Sequence, residues 1–245
     1  MFSFFTKKEY LVDYLEGFID IHNHILPSID DGAKNVEESI ELIKGFGEFG
    51  VTDFVCTPHI MENYYPNTPE TINNSLALLQ TGLKKNDLTH VNISAAAEHM
   101  IDSGFEKRLK DKQIMPLGEK YLLVEMSYLQ ASINFEEATN YIMSEGYFSI
   151  LAHPERYIFL HDNLEIYNQY KSQGILFQLN ILSLSEYYGK EVQKIAHKLL
   201  DKNLIEFLGS DIHNKNQLNC LKEIRLNRNT METVNSIIQF TKRSF

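Results

Sequence analysis

The chain has 245 residues, 43% hydrophobic and 23% charged, with a formal net charge of −10. That length supports one large α/β domain or two small ones, with a core that needs no covalent staples. The acidic balance excludes non-specific nucleic-acid binding, which needs clustered Lys and Arg. The two cysteines, Cys56 and Cys220, give no disulfide framework and point to a reducing compartment.

Residues 1–17 read as an N-terminal arm or short helix outside the main fold, which spans 18–245. The order of Met1–Phe5 before Lys7-Lys8 is the reverse of a signal peptide. No window reaches the ~18 apolar residues of a membrane span, so a cytoplasmic protein without membrane insertion is expected. The first strand covers 18–22 and runs into His22-Asn23-His24 and Asp30-Asp31-Gly32. A helix follows, with Asn35 as N-cap, Glu38 at the capping-box position, a wide apolar stripe of Val36, Ile40 and Ile43 flanked by Leu42, Phe46 and Phe49, and Gly50 at its end. Strand 51–56 precedes Thr57-Pro58-His59. Thr68-Pro69 opens another helix. Strand 91–97 ends in Glu98, and a solvated short helix carries Lys107, Arg108, Lys110 and Lys112. Strand 121–124 ends in Glu125, strand 147–152 in His153-Pro154-Glu155-Arg156, strand 175–179 in Asn180, and strand 204–208 leads to Ser210-Asp211-Ile212-His213. Helices are expected near 134–145, 164–172, 190–201 and 230–242.

Strands alternating with helices imply parallel pairing with right-handed crossovers. Seven such units predict a distorted (βα)7 barrel with its active site at the C-terminal strand ends. A doubly wound open sheet lacks support, because no Gly-rich phosphate loop follows the first strand.

Six of the seven strands end in a metal-ligating residue type: His22 and His24, His59, Glu98, Glu125, His153, and Asp211 with His213. Asp31 follows the first strand. His22 and His24 share one face, since side chains alternate along a strand. One histidine at a strand end is more often a hydrogen-bonded loop residue, and one glutamate is usually a solvated charge. Five histidines and four carboxylates on one rim need cations to neutralise them. They exceed what one ion takes and suit two or three. Imidazole with carboxylate fits Mn, Fe or Zn, and paired ions of this kind serve phosphoryl chemistry.

These motifs, with Thr57-Pro58-His59, Ala97-Glu98, Glu125-Met126-Ser127-Tyr128, His153-Pro154-Glu155-Arg156-Tyr157 and Ser210-Asp211-Ile212-His213-Asn214, resemble the PHP (polymerase and histidinol phosphatase) superfamily. Within it they are most similar to the manganese-dependent protein-tyrosine phosphatases of bacterial capsule and exopolysaccharide operons, the CpsB/YwqE type. The resemblance covers about residues 18–214. It implies a PHP-type barrel and three metals: His22, His24, Glu98 and Asp211 on the first, Glu98 bridging to a second with Glu125 and His153, and Asp31, His59 and His213 on a third. It makes Arg156, with Asp211 and Glu98, the catalytic set, Arg156 gripping phosphate. The implied reaction is attack of a metal-bridging hydroxide on a phosphotyrosine ester. The implied substrate is a membrane-associated tyrosine kinase of polysaccharide synthesis.

Two positions depart from the family's pattern. His99 stands where an aromatic residue is expected, and Leu218 near where a second arginine is often found. Lys215 could replace that arginine only as a point charge. A thiol phosphatase is excluded, because Glu62 and Leu226 stand six residues after Cys56 and Cys220, where Cys-x5-Arg demands arginine. Two other readings use the same residues: a histidinol-phosphate or other small-molecule phosphatase, and a metal-binding regulatory module without turnover. Tyr64, Tyr65 and Tyr128 are candidates to line the entrance, Tyr128 to touch substrate, although rim packing explains them equally well.

Overall fold

A computed structural model describes residues 8–245. The elements in chain order are β1 (Glu9–Tyr10), β2 (Ile19–Asp20), α1 (Val36–Gly47), β3 (Asp53–Cys56), β4 (His59–Ile60), α2 (Pro69–Lys85), β5 (Asn92–Ala95), β6 (Glu98–Met100), α3 (Phe105–Lys110), β7 (Tyr121–Glu125), α4 (Phe135–Ser144), β8 (Phe148–Ala152), α5 (Glu165–Ser172), β9 (Leu176–Asn180), α6 (Lys190–Asp201), β10 (Phe207–Gly209), α7 (Lys215–Lys222), β11 (Arg225–Leu226) and α8 (Arg228–Ser244). The fold is α/β with a curled parallel wall. One sheet has the order β2-β3-β5, the other β10-β9-β8-β7-β6-β4, and every pairing in both is parallel.

One expected strand is interrupted, and another resumes beyond its expected end. Residues 51–56 and 91–97 each stop and restart two residues later, as β4 and β6, in the other sheet. Pro58 has no N–H for a ladder, and its carbonyl instead accepts from Glu98 N at 3.1 Å. The step hands the wall from the small sheet to the large one and starts β4 and β6 on His59 and Glu98.

The C-terminal ends of β2 and β10 meet directly. Asp211 N donates to His22 O at 2.7 Å and His24 N to Ile212 O at 3.0 Å. Asp20, fully buried, accepts from Ser210 N at 2.9 Å and from Ser210 Oγ at 2.6 Å. Burial pushes its carboxyl up to about 6 even though both bonds pull it down. On the other flank Asn23 N donates to Thr57 Oγ1 at 3.1 Å. The first strand's extension is therefore clamped on both sides.

Alternation decides what the wall points inward. Tyr121, Leu123, Ile150, Ala152, Leu176 and Phe207 belong to one small apolar cluster. Two residues further along the same faces come Glu125 after Leu123, and Gln178 and then Asn180 after Leu176. The larger cluster lies between wall and helices and takes in Leu122, Val124, Leu151, Phe177 and Leu179.

Asn35 caps α1 as expected, accepting from Glu38 N at 2.9 Å, but Glu38 reaches back one residue further, to Lys34 N. Gly50, with φ +74°, turns the chain out of α1. Residues 1–7 of the expected arm lie outside the described residues. Residues 8–17 are tied to the body: β1 pairs antiparallel with β11, and Leu11 and Leu15 are buried in the large cluster. Helix α7 was not expected. Among the described residues no helix is long and apolar enough to cross a membrane.

Candidate metal centre

The five histidines and four carboxylates singled out in the sequence fall into overlapping groups on the rim: His22, His24 and Asp211; His22, Glu98 and His153; His59, Glu98 and Glu125; and His24, Asp31, His59 and His213. In the innermost group His22 Nε2 stands 3.3 Å from Glu98 Oε2 and 3.4 Å from Asp211 Oδ1, and His24 Nε2 stands 3.4 and 3.3 Å from the same atoms. These are the four residues the resemblance assigns to one ion.

The neighbouring groups overlap, with His59 standing between those expected to hold the second and third ions. Glu125 Oε1 lies 2.9 Å from His59 Nδ1, which is also 3.1 Å from Glu98 Oε2. His153 Nε2 instead meets the other oxygen of Glu98, at 2.9 Å. Asp31 Oδ1 is 3.5 Å from both His59 Nε2 and His213 Nε2. His59 thus presents a ring nitrogen to each side.

The donor atoms fit cations. His22 Nε2, His24 Nε2, His59 Nδ1, Glu98 Oε2, Glu125 Oε1 and Asp211 Oδ1 are buried and have no hydrogen-bond partner. Leaving a buried charge unpaired costs several kcal/mol. Six such atoms converging from five strand ends suit divalent ions as partners. The electrostatics agree. Burial opposes ionisation of Glu98, but His22, His59 and His153 outweigh it and hold its carboxyl well below the usual range. Burial likewise opposes ionisation of Asp211, and His22, His24, His213 and Arg156 overcome it. Burial opposes protonation of His24 and His59, yet Asp30 and the Glu98–Glu125 pair respectively hold them well above their ordinary value. Protonated imidazoles are the cations that the carboxylates find among the protein's own groups.

The backbone is bent to reach this arrangement. His153 and Asp211 have φ of +35° and +52°, a left-handed region costing non-glycine residues about 1–3 kcal/mol. Gly32 has no room for a side chain, because a Cβ there would come within 1.9 Å of His24 O.

A second layer orients the ligands. His22 Nδ1 donates to Gln178 Oε1 at 2.6 Å, which aims Nε2 inward. His24 Nδ1 donates to Asp30 Oδ2 at 2.7 Å, and the same oxygen accepts from His59 N at 3.1 Å. Such partners fix tautomer and ring angle. Asp30→Ala is expected to weaken metal binding about 10–100-fold with the far-UV circular dichroism preserved. Chelator competition measures it, and unchanged affinity would remove the role.

Arg156 lies over the ligands. Its Nη1 donates to Asp211 Oδ2 at 2.6 Å, and its guanidinium sits between the rings of Tyr128 and Tyr188, 4.4 and 4.2 Å from their centroids. Asn180 Nδ2 donates to Asp211 Oδ2 at 2.8 Å and to Tyr188 Oη at 3.2 Å. Tyr128 Oη stands 3.3 Å from His153 Nε2, and Tyr65 stacks on His59 at 5.5 Å.

Gln178, Asn180, Tyr188 and Asp30 were missed as site residues. Gln178 and Asn180 had a signal, the inward face of β9; Tyr188 had none. His99 faces away: its ring bonds Leu123 O at 3.1 Å and accepts from Met115 N at 3.2 Å, and burial holds it down to about 4. Leu218 packs α7 on α1 beside Gly45. Lys215 pairs with Glu41 at 3.2 Å rather than facing the ligands. Cys56 is buried in the large core cluster.

Fold and site together define a rim of overlapping His–carboxylate clusters able to hold metal ions, with an arginine beside them. The profile of the family described as "Capsular polysaccharide synthesis, CpsB/CapC" matches residues 18–232. The chain belongs to this CpsB/CapC family. It is similar to CapC of Staphylococcus aureus, 33% identical over 80% of this chain and 76% of that one. It is also similar to the tyrosine-protein phosphatase YwqE of Bacillus subtilis, 30% identical over 80% of this chain and 77% of that one. A solved structure from work on YwqE of Bacillus subtilis and CpsB of Streptococcus pneumoniae, described as metal-dependent tyrosine phosphatases, superposes with a TM-score of 0.76 and 28% identity, over 90% of this chain and 86% of that one.

Proposed function

We propose that the chain is a metal-dependent protein-tyrosine phosphatase whose active site is this rim, on a PHP-type (βα)7 barrel spanning 18–245. The observation that carries it is the convergence of six unpartnered buried donor atoms under one arginine. His22, His24, Glu98 and Asp211 hold one ion. Glu98 and Glu125, with His153, hold a second, and Asp31, His59 and His213 a third. Manganese is the expected metal, with Fe or Zn able to occupy the same donors. Bound ions supply an activated water at neutral pH and neutralise charge on the phosphate.

The chain's own groups do the rest. Arg156 keeps most of its five N–H donors free when one engages Asp211, and these receive phosphate oxygens as charge builds. Tyr128 and Tyr188 hold the guanidinium plane against rotation, and Tyr128 meets the substrate ring. A phenolate leaving group, with a pKa near 10, departs without a dedicated acid, and no residue is assigned that task. The substrate is a phosphotyrosine protein, a membrane-associated kinase of polysaccharide synthesis, met from the cytoplasm.

Hydrolysis of p-nitrophenyl phosphate with added Mn²⁺, with and without EDTA, tests the class. Turnover that EDTA abolishes is expected, and metal-independent turnover or none at all would defeat it. Phosphotyrosine peptide against histidinol phosphate then tests the substrate, with the peptide preferred. Arg156→Ala is expected to lower kcat/KM about 10–100-fold, the worth of hydrogen bonds to a charged group, with much of the loss in KM. An unchanged kcat/KM would take the phosphate from Arg156.

A further inference from the structure

We propose that the apolar rim formed by Leu129 and Ile133, on the loop between β7 and α4, binds an apolar residue flanking the phosphotyrosine and so selects among phosphotyrosine sites. The proposal rests on the phosphatase reading above and adds its sequence preference.

The metal rim opens into a cleft of about 1040 Å³ that runs from Glu125, Asp211 and Arg156 out to Leu129 and Ile133. Pockets for whole small molecules hold about 300–1,000 Å³, so the cleft has room for a stretch of chain beyond one ring. Its outer part is apolar and open. Leu129 is 91% exposed, Ile133 fully exposed, and Tyr64 on the facing loop 76% exposed. None of the three belongs to a core cluster, so the fold does not require them. Adjoining exposed apolar side chains at a functional cleft are the informative kind of exposure.

Both walls are anchored to the same base. Ser132 Oγ donates to Ile101 O at 2.8 Å from one loop, while Glu62 N donates to Asp102 Oδ2 at 2.9 Å and Glu62 Oε2 accepts from Ser103 Oγ at 2.7 Å on the other. The spacing between walls is therefore built in. The charges there are spoken for: Asp102 is held by Arg108 at 2.5 Å, and Glu62 by Ser103. What remains at the rim complements an aliphatic side chain, not a charged one.

The test uses the metal-loaded full chain, a Leu129→Asp/Ile133→Asp double variant, p-nitrophenyl phosphate, and paired phosphotyrosine peptides with Leu or Asp at the flanking positions. The exposed substitutions leave thermal stability nearly unchanged. Wild type is expected to favour the Leu peptide about tenfold or more in kcat/KM. The variant is expected to lose that preference through KM while keeping p-nitrophenyl phosphate turnover within about twofold. Equal use of both peptides by wild type, a preference that survives in the variant, or equal losses on all substrates would overturn the proposal. So would a concentration-dependent dimer that the double substitution abolishes, since the patch would then belong to a second copy. No turnover of any substrate by wild type would instead sink the phosphatase reading beneath it.

Discussion

Glu98→Ala should abolish turnover, with kcat/KM falling about a thousandfold or more, the scale seen when a group stabilising transition-state charge is removed. No other side chain is so central. Its Oε2 faces His22, His24 and His59 at 3.3, 3.4 and 3.1 Å, and its Oε1 faces His153 at 2.9 Å. On the proposed assignment the substitution would take a ligand from two adjacent ions at once. It also leaves His22 and His153 without their nearest carboxylate, so metal content per chain should fall with activity. Leu123 and Val124 remain in place to hold β6 against β7, and secondary structure should survive. Activity within about tenfold of wild type would show that Glu98 is not the shared ligand.

Metal removal should lower the melting temperature by at least about 5–10 °C. An ion at 100 times its Kd adds about 2.7 kcal/mol per site, and each kcal/mol moves Tm by about 2–4 °C in a chain of this size. The physical source is the set of buried donor atoms without partners, which ions satisfy and the protein alone does not. Differential scanning calorimetry of EDTA-treated protein, with and without Mn²⁺, reads the shift without reference to activity. Glu98→Ala should lose most of the Mn²⁺-induced rise. Equal melting temperatures with and without metal would mean that no ion is bound at the rim.

Much of this site was legible because its residues end apolar strands. His22, Glu98, Glu125, His153 and Asp211 each follow a run whose period marks a strand, and parallel strands bring such ends together. Chemistry-bearing residue types at those positions needed no contact information to be noticed. Gln178 and Asn180 sit equally well on β9, but an amide in a strand carries no such flag, and its role emerges only from the distances to His22 and Asp211. Asp30 and Asp31 adjoin, and nothing local says that one holds two histidines from behind while the other faces the solvent side. Tyr188 reaches Arg156 from a loop after β9, a contact that no periodicity encodes. The break after Ala95 was hidden because Ala96 and Ala97 keep the run apolar across the step. Helix α7 has eight residues and too few apolar positions to show a period. Leu218, read against a family arginine, is a packing residue of that helix.

Diffraction from Mn²⁺-soaked crystals at the manganese edge measures the central claim most directly. Two or three anomalous peaks are expected on the rim, each within about 2.0–2.3 Å of its ligand atoms, with one peak among His22, His24, Glu98 and Asp211. No peak there, or peaks held only by exposed surface carboxylates, would contradict the assignment of these residues as a metal centre.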